Sequence, residues 1–170
     1  TIDGTVIDGN TASGDAADDG GGGIFNNGGT VTITGSSTVI SNNVADGASG
    51  SGGGIFNATD GTITISGASI TGNTANRAGG GIEDASGIDG GIDLTGVTLS
   101  SNSAGVGDGA VANPGNGGGL HVTGAANISI SGGTISGNSA ALEGGGLWNG
   151  SGAMTIDGTV IDGNTASGDA

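Results

Sequence analysis

Apolar residues along this chain alternate with small polar ones in short bursts, and the bursts recur in three forms. The first is a glycine triplet followed by an aliphatic residue, completed at Ile24, Ile55, Ile82, Leu120 and Leu147. The second is an alternating stretch closed by glycine: Val31-x-Ile33-x-Gly35, Ile63-x-Ile65-x-Gly67, Ile92-x-Leu94-x-Gly96, Ile128-x-Ile130-x-Gly132 and Met154-x-Ile156-x-Gly158. The third is aliphatic-x-x-Asn-x-Ala, found as Ile7/Asn10/Ala12, Ile40/Asn43/Ala45, Ile70/Asn73/Ala75, Leu99/Asn102/Ala104, Ile135/Asn138/Ala140 and Ile161/Asn164/Ala166. Each burst has period two and is rich in Ile, Val and Thr, which predicts strands. Glycine and β-branched residues both disfavour helix.

Three short strands joined by glycine-rich corners make one coil of a β-solenoid, each strand pairing in parallel with its equivalent one coil above. The expected fold is therefore all-β, a right-handed parallel β-helix, since parallel crossovers are right-handed by default. The triplets stand 31, 27, 38 and 27 residues apart. That is too long and irregular for a hexapeptide left-handed solenoid. The surplus falls mainly after the Asn-x-Ala piece, from Asn76-Arg77-Ala78 in one repeat to residues 105–116 in another. One corner accepts insertions while the strands keep register.

A longer period overlies the short one. Residues 1–16, TIDGTVIDGNTASGDA, recur unchanged as residues 155–170. Selection for a fold does not hold sixteen consecutive residues identical when many of them face solvent, whereas recent duplication does. The expectation is one solenoid segment over 1–170, in which 1–154 form one tandem unit of about five coils and 155–170 open the next. Neither end carries the polar cap that finishes a solenoid, as expected of a window on a tandem array.

Composition narrows the function classes. The chain holds 44 glycines in 170 residues, without the strict third-residue register of collagen. Sixteen acidic residues face a single cation, Arg77, for a net charge of −15. Nucleic acid is excluded as a partner on that balance, because phosphate recognition needs lysine and arginine. No apolar run approaches spanning length, so membrane insertion by this segment is not expected. With no cysteine, stability rests on packing and hydrogen bonds.

Three residue columns are candidates for function. Asn10, Asn43, Asn73, Asn102, Asn138 and Asn164 recur once per coil and predict a structural amide ladder. The position after each triplet's aliphatic residue holds Phe25, Phe56, Glu83, His121 and Trp148, which gathers every aromatic residue of the chain and its one histidine. Strand alternation turns this column away from the core. It is a candidate contact stripe for another fibre or for sugar rings, or else a stack covered by a loop. Asp15, Asp18 and Asp19 share one insertion loop and could hold calcium, although neither known calcium-loop pattern is present. No other cofactor is expected. The residues Thr32/Thr34, Thr64/Ser66, Asp93/Thr95, Ser129/Ser131 and Thr155/Asp157 form an outward array. Asp93 and Asp157 interrupt its resemblance to an ice-binding face.

The GGG[IL] and [IL]xxN pieces resemble the GGA[ILV] and FxxN signatures of polymorphic outer-membrane-protein repeats. More broadly they resemble the right-handed β-helix repeats of bacterial surface and autotransporter-passenger proteins. The likeness rests on Gly21–Ile24, Gly52–Ile55, Gly79–Ile82, Gly117–Leu120 and Gly144–Leu147, together with the Asn column. It implies a secreted or surface-displayed passenger, often adhesive.

Together these readings give a structural unit of a long extracellular or cell-surface fibre that self-associates laterally or end to end, and no enzyme. The alternatives are a glycan-binding β-helix module, a polysaccharide-acting enzyme, or an ice-binding solenoid. A lyase would need a base and a cationic centre, and Arg77 has no lysine or tyrosine beside it. A hydrolase would need two carboxylates, for which Glu83 with Asp93 is one arrangement.

Overall fold

The computed structural model describes residues 1–16, 19–105 and 115–168. These form a parallel β-solenoid of about five coils, all strand and no helix among the described residues. Four sheets run along the stack. The first holds Ile2–Asp3, Thr30–Thr34, Thr62–Ser66, Ile92–Thr95, Ile128–Ser131 and Met154–Asp157. The second holds Val6–Asp8, Val39–Ser41, Ser69–Thr71, Thr98–Ser100, Thr134–Ser136 and Val160–Asp162. The third holds Thr11–Ala12, Val44–Ala45, Thr74–Ala75, Ser103–Ala104, Ser139–Ala140 and Thr165–Ala166. The fourth holds Ile24–Asn27, Ile55–Ala58, Ile82–Ala85, Leu120–Val122 and Leu147–Asn149. The three sequence pieces thus give four sheets, because the aliphatic-x-x-Asn-x-Ala piece bends just before its Asn and contributes two strands.

That bend has a backbone cause. The residue before each ladder Asn has positive φ: Gly9 (67°), Asn42 (53°), Gly72 (66°), Ser101 (56°), Gly137 (62°) and Gly163 (61°). A left-handed residue breaks the strand and turns the chain, which glycine does at no steric cost.

Register places like over like. Ile33 pairs with Ile65, Ile70 with Leu99, and Ile82 with Leu120. Their side chains fill one continuous core, in which Ile33, Ile40, Ile55, Ile65, Ile70, Ile82 and Leu120 are fully buried. Ala45, Ala75, Ala104 and Ala140 are buried at the narrow corner, where nothing larger is used.

The triplets follow from crowding. The first glycine of each has φ between 61° and 67°. A Cβ on the second, at Gly53, would stand 2.4 Å from the Thr74 carbonyl oxygen and 2.5 Å from that of Gly80. Only glycine lets the coils approach here.

Candidate functional site

The Asn column is a continuous amide ladder. Each side-chain oxygen accepts from the amide below: Asn43 Nδ2 to Asn73 Oδ1 at 3.0 Å, Asn73 to Asn102 at 2.9 Å, Asn102 to Asn138 at 3.0 Å. The same oxygen takes the backbone N–H of the Asn below, and each Nδ2 also donates to a strand carbonyl, as Asn73 does to Ile40. Asn43, Asn73, Asn102 and Asn138 are fully buried. In these four every side-chain donor and acceptor is spent on the scaffold, leaving none for a ligand.

A second polar column, which the sequence reading did not single out, lies in the fourth sheet. Asn26 Nδ2 donates to Asn57 Oδ1 at 2.8 Å, and Asn57 Nδ2 to Asp84 Oδ1 at 3.0 Å. Val122 then interrupts the column and Asn149 resumes it. Asn149 Oδ1 is buried without a partner, because valine below it has nothing to donate. The signal was an Asn or Asp two residues after the aliphatic position in four of five repeats. Burial pushes the Asp84 carboxyl above the usual carboxylate range, with the Glu83 charge adding to it, against hydrogen bonds from Ser86 and Asn57.

The candidate contact stripe points away from the aliphatic core but is mostly covered. Phe56, Glu83 and His121 are buried, Trp148 is half-buried, and Phe25 is 47% exposed. Of the two arrangements the sequence left open, an open contact surface or a stack covered by a loop, the middle of the column takes the covered one and only its two ends are accessible. The chain entering each triplet runs alongside the column through parallel bridges linking Gly20, Ser51, Ala78 and Asn116. It packs so closely that a Cβ on Gly20 would stand 3.0 Å from the Phe56 ring. The column also fills its own space. Phe25 meets Phe56 edge-on at 5.4 Å, and His121 stacks on Trp148 at 4.3 Å with an 18° tilt.

Between these ring pairs sits the one buried carboxylate–imidazole pair among the described residues. His121 Nδ1 is 2.8 Å from Glu83 Oε2, and Thr123 donates to Glu83 Oε1 at 2.7 Å. Carboxylate and imidazole in this order are the orienting half of a proton relay. His121 Nε2, however, is buried with no hydrogen-bond partner. Thr123 Oγ1 also lies 3.3 Å from His121 Nδ1, so the pair and this hydroxyl form one local cluster. Glu143, one coil up, accepts from the Trp148 indole at 2.9 Å and from Asn116 at 3.5 Å, which fixes the indole at the edge of the column.

The acidic loop is used locally. Asp19 Oδ2 accepts from the Ala16 N–H at 2.7 Å, and Asp15 Oδ1 from the Ala48 N–H at 2.9 Å. Asp18 lies outside the described residues. No group of three His, Asp or Glu side chains that could hold a metal occurs among the described residues. A shallow pocket of about 270 Å³ lies beside Phe25, lined also by Ala12, Ser13, Gly14, Asp19 and Gly20. Compared with known proteins, the chain matches no family model, no curated protein and no solved structure.

Proposed function

We propose that this chain is a structural repeat unit of a long fibre, extracellular or displayed at the cell surface, whose role is adhesive and not catalytic. One observation carries the proposal. Of the sixteen residues shared by 1–16 and 155–170, the described ones, 1–14 and 155–168, take equivalent places at both ends of the stack. Ile2, Ile7 and Ala12 pair with Ile33, Ile40 and Ala45 above them, and their copies Ile156, Ile161 and Ala166 pair with Ile130, Ile135 and Ala140 below. A chain built of such units lengthens without any new kind of contact, and its stability adds coil by coil. At about 4.8 Å per coil, a unit of about five coils contributes about 24 Å of rod.

The net charge of −15 favours solubility of so long a polymer. Display outside the cell is supported by the likeness of GGG[IL] and [IL]xxN to surface-protein repeats. The burial of Phe56, Glu83 and His121 counts against a sugar-stacking platform and against catalysis at that column. Electron microscopy of the native material, with chain mass determined under denaturing conditions, tests the reading. Thin rods with an axial repeat near 24 Å, from chains of many units, are the expected result (about 4.8 Å for each of about five coils). Compact particles from a chain carrying a single unit would overturn it.

A further inference from the structure

The tandem-unit reading leaves open how one unit meets the next, and the two ends of this solenoid bear on that directly. In each of the four steps between successive triplets, the first backbone N–H of the lower triplet donates to the carbonyl of the residue just before the upper one: Gly21 to Ser51, Gly52 to Ala78, Gly79 to Asn116 and Gly117 to Glu143. The fifth triplet, Gly144–Leu147, presents the same donor upward, and Gly20, just before the first triplet, presents the same acceptor downward. Leu147–Asn149 and Ile24–Asn27 are the two edge strands of the fourth sheet. Donation also runs the other way along this sheet, as from Thr123 to Asp84 and from Gly150 to Val122, so each edge offers both donors and acceptors in the pattern that its counterpart can meet.

The side chains agree with the backbone. Trp148 is half-buried at the upper edge, while Phe25 is 47% exposed at the lower, beside its shallow pocket. Rings at successive positions of this column touch wherever both are aromatic, as Phe25 does with Phe56. In the second polar column the lower amide donates to the upper oxygen, as Asn26 does to Asn57. Asn149 is thereby oriented to donate to an Asn26 one coil above. The Asn ladder is already continuous through the shared residues: Asn138 donates to Asn164 at 2.8 Å, and Asn10, the same residue of the repeat, donates to Asn43 at 2.8 Å. Asp8 likewise receives the Ser41 hydroxyl and the Asn42 amide from the coil above it, contacts that its copy Asp162 would make with the next unit.

We infer that the upper end of each unit is a seat for the first coil of another copy, with Trp148 stacked on that copy's Phe25, Asn149 donating to its Asn26, and all four sheets running through the junction in register. The joint is rigid and has the spacing of an ordinary coil step. It rests on the tandem-unit reading but can fail independently of it.

A polypeptide in which residues 1–154 are followed by the full 170-residue chain tests the register. The sequence has no cysteine, so Trp148→Cys in the first unit and Phe25→Cys in the second introduce one possible bridge. Adjacent coil positions are about 4.8 Å apart, within the Cα range of a disulfide. The control pairs His121→Cys in the first unit with the same Phe25→Cys, two steps or about 9.6 Å apart and out of reach. Near-complete oxidation of the first pair with the control left reduced is expected. Equal oxidation of both, or of neither, in chains that keep a β-sheet circular-dichroism spectrum would overturn the junction. A measurement without cysteine guards against local unfolding. Acrylamide should quench tryptophan in the two-unit chain less than in the 170-residue chain, and Phe25→Ala in the second unit alone should reverse the protection. Identical quenching in all three would equally overturn it. Loss of the junction leaves a fibre of flexibly joined units, whereas a native chain of one unit removes the fibre whatever the disulfide does.

Discussion

Single residues in this solenoid are tested by repetition, since each position has equivalents in other coils. Ser101 occupies a left-handed corner that Gly9, Gly72, Gly137 and Gly163 fill without strain. Ser101→Gly should therefore raise stability by about 1 kcal/mol, read as a shifted denaturant midpoint at unchanged slope. Asn73 gives the opposite case. Its removal takes the side-chain donor from the Ile40 carbonyl and the acceptor from the Asn43 amide and backbone N–H, all buried, while the Asn102 oxygen keeps only the backbone N–H of residue 73. Asn73→Ala should cost on the order of 3–5 kcal/mol, while the exposed neighbour Thr64→Ala costs little. Asp84 adds a pH signature. Its folded pKa is raised, so the associated stability is full below the unfolded value near 3.8 and is lost as pH rises through the folded value. Asp84→Asn should flatten that decline and stabilise the chain at neutral pH by about 1–2 kcal/mol, measured as unfolding free energy against pH. Asp8 runs the other way. The Ser41 and Asn42 bonds hold its pKa down, and their support is lost as pH falls through the folded value. The Asn ladder was legible because one Asn per coil, always three residues after the aliphatic position, brings the amides directly above one another. The second ladder was not, because Asp84 and Val122 stand where an unbroken column would carry Asn.

At the scale of elements, the column after the triplets shows what alternation can and cannot tell. Period two fixes the direction of Phe56, Glu83 and His121 away from the aliphatic core, and the structure keeps that direction. It carries no information about what lies on the far side. The covering ribbon of Gly20, Ser51, Ala78 and Asn116 comes from the irregular corner whose length varies most between repeats. The sequence could therefore offer a covering loop only as one of two alternatives, although the recurrence of rings in one column was plain. The strand pieces were legible for the converse reason: their Ile, Val and Thr alternation and their registration depend only on the repeat itself. The covered column makes a definite prediction. Removing one member of the Glu83–His121 pair leaves a buried group unpaired, so His121→Ala should cost about 3–5 kcal/mol. Replacing both by phenylalanine extends the Phe25–Phe56 stack up to Trp148 and leaves only Thr123, which is exposed, without its acceptor. The double variant should melt at or above the unsubstituted chain, well above the sum of the two single changes. A double variant as unstable as His121→Ala would mean that the column needs the carboxylate–imidazole pair for its geometry.

The whole molecule is a stack whose two ends carry the same sixteen residues, and this makes its association state controllable. In the 170-residue chain, residues 155–168 cover the upper edges of three sheets by pairing with Ile128–Ser131, Thr134–Ser136 and Ser139–Ala140. An incoming copy would bring residues 1–16 to the same place, so the two segments compete for one seat. A chain stopped at Met154 opens the seat and lengthens the unpaired edge, the feature that most readily recruits another strand. It should form rods whose length grows with concentration in sedimentation and microscopy, because a heterologous head-to-tail contact does not close. A peptide of residues 155–168 in excess should shorten those rods, and a scrambled peptide of the same composition should not. Were the shortened chain to remain a folded monomer at high concentration, edge pairing between copies would be too weak to outweigh the entropy of association. Long fibres would then depend on the covalent succession of units, with the seat serving only to set their register.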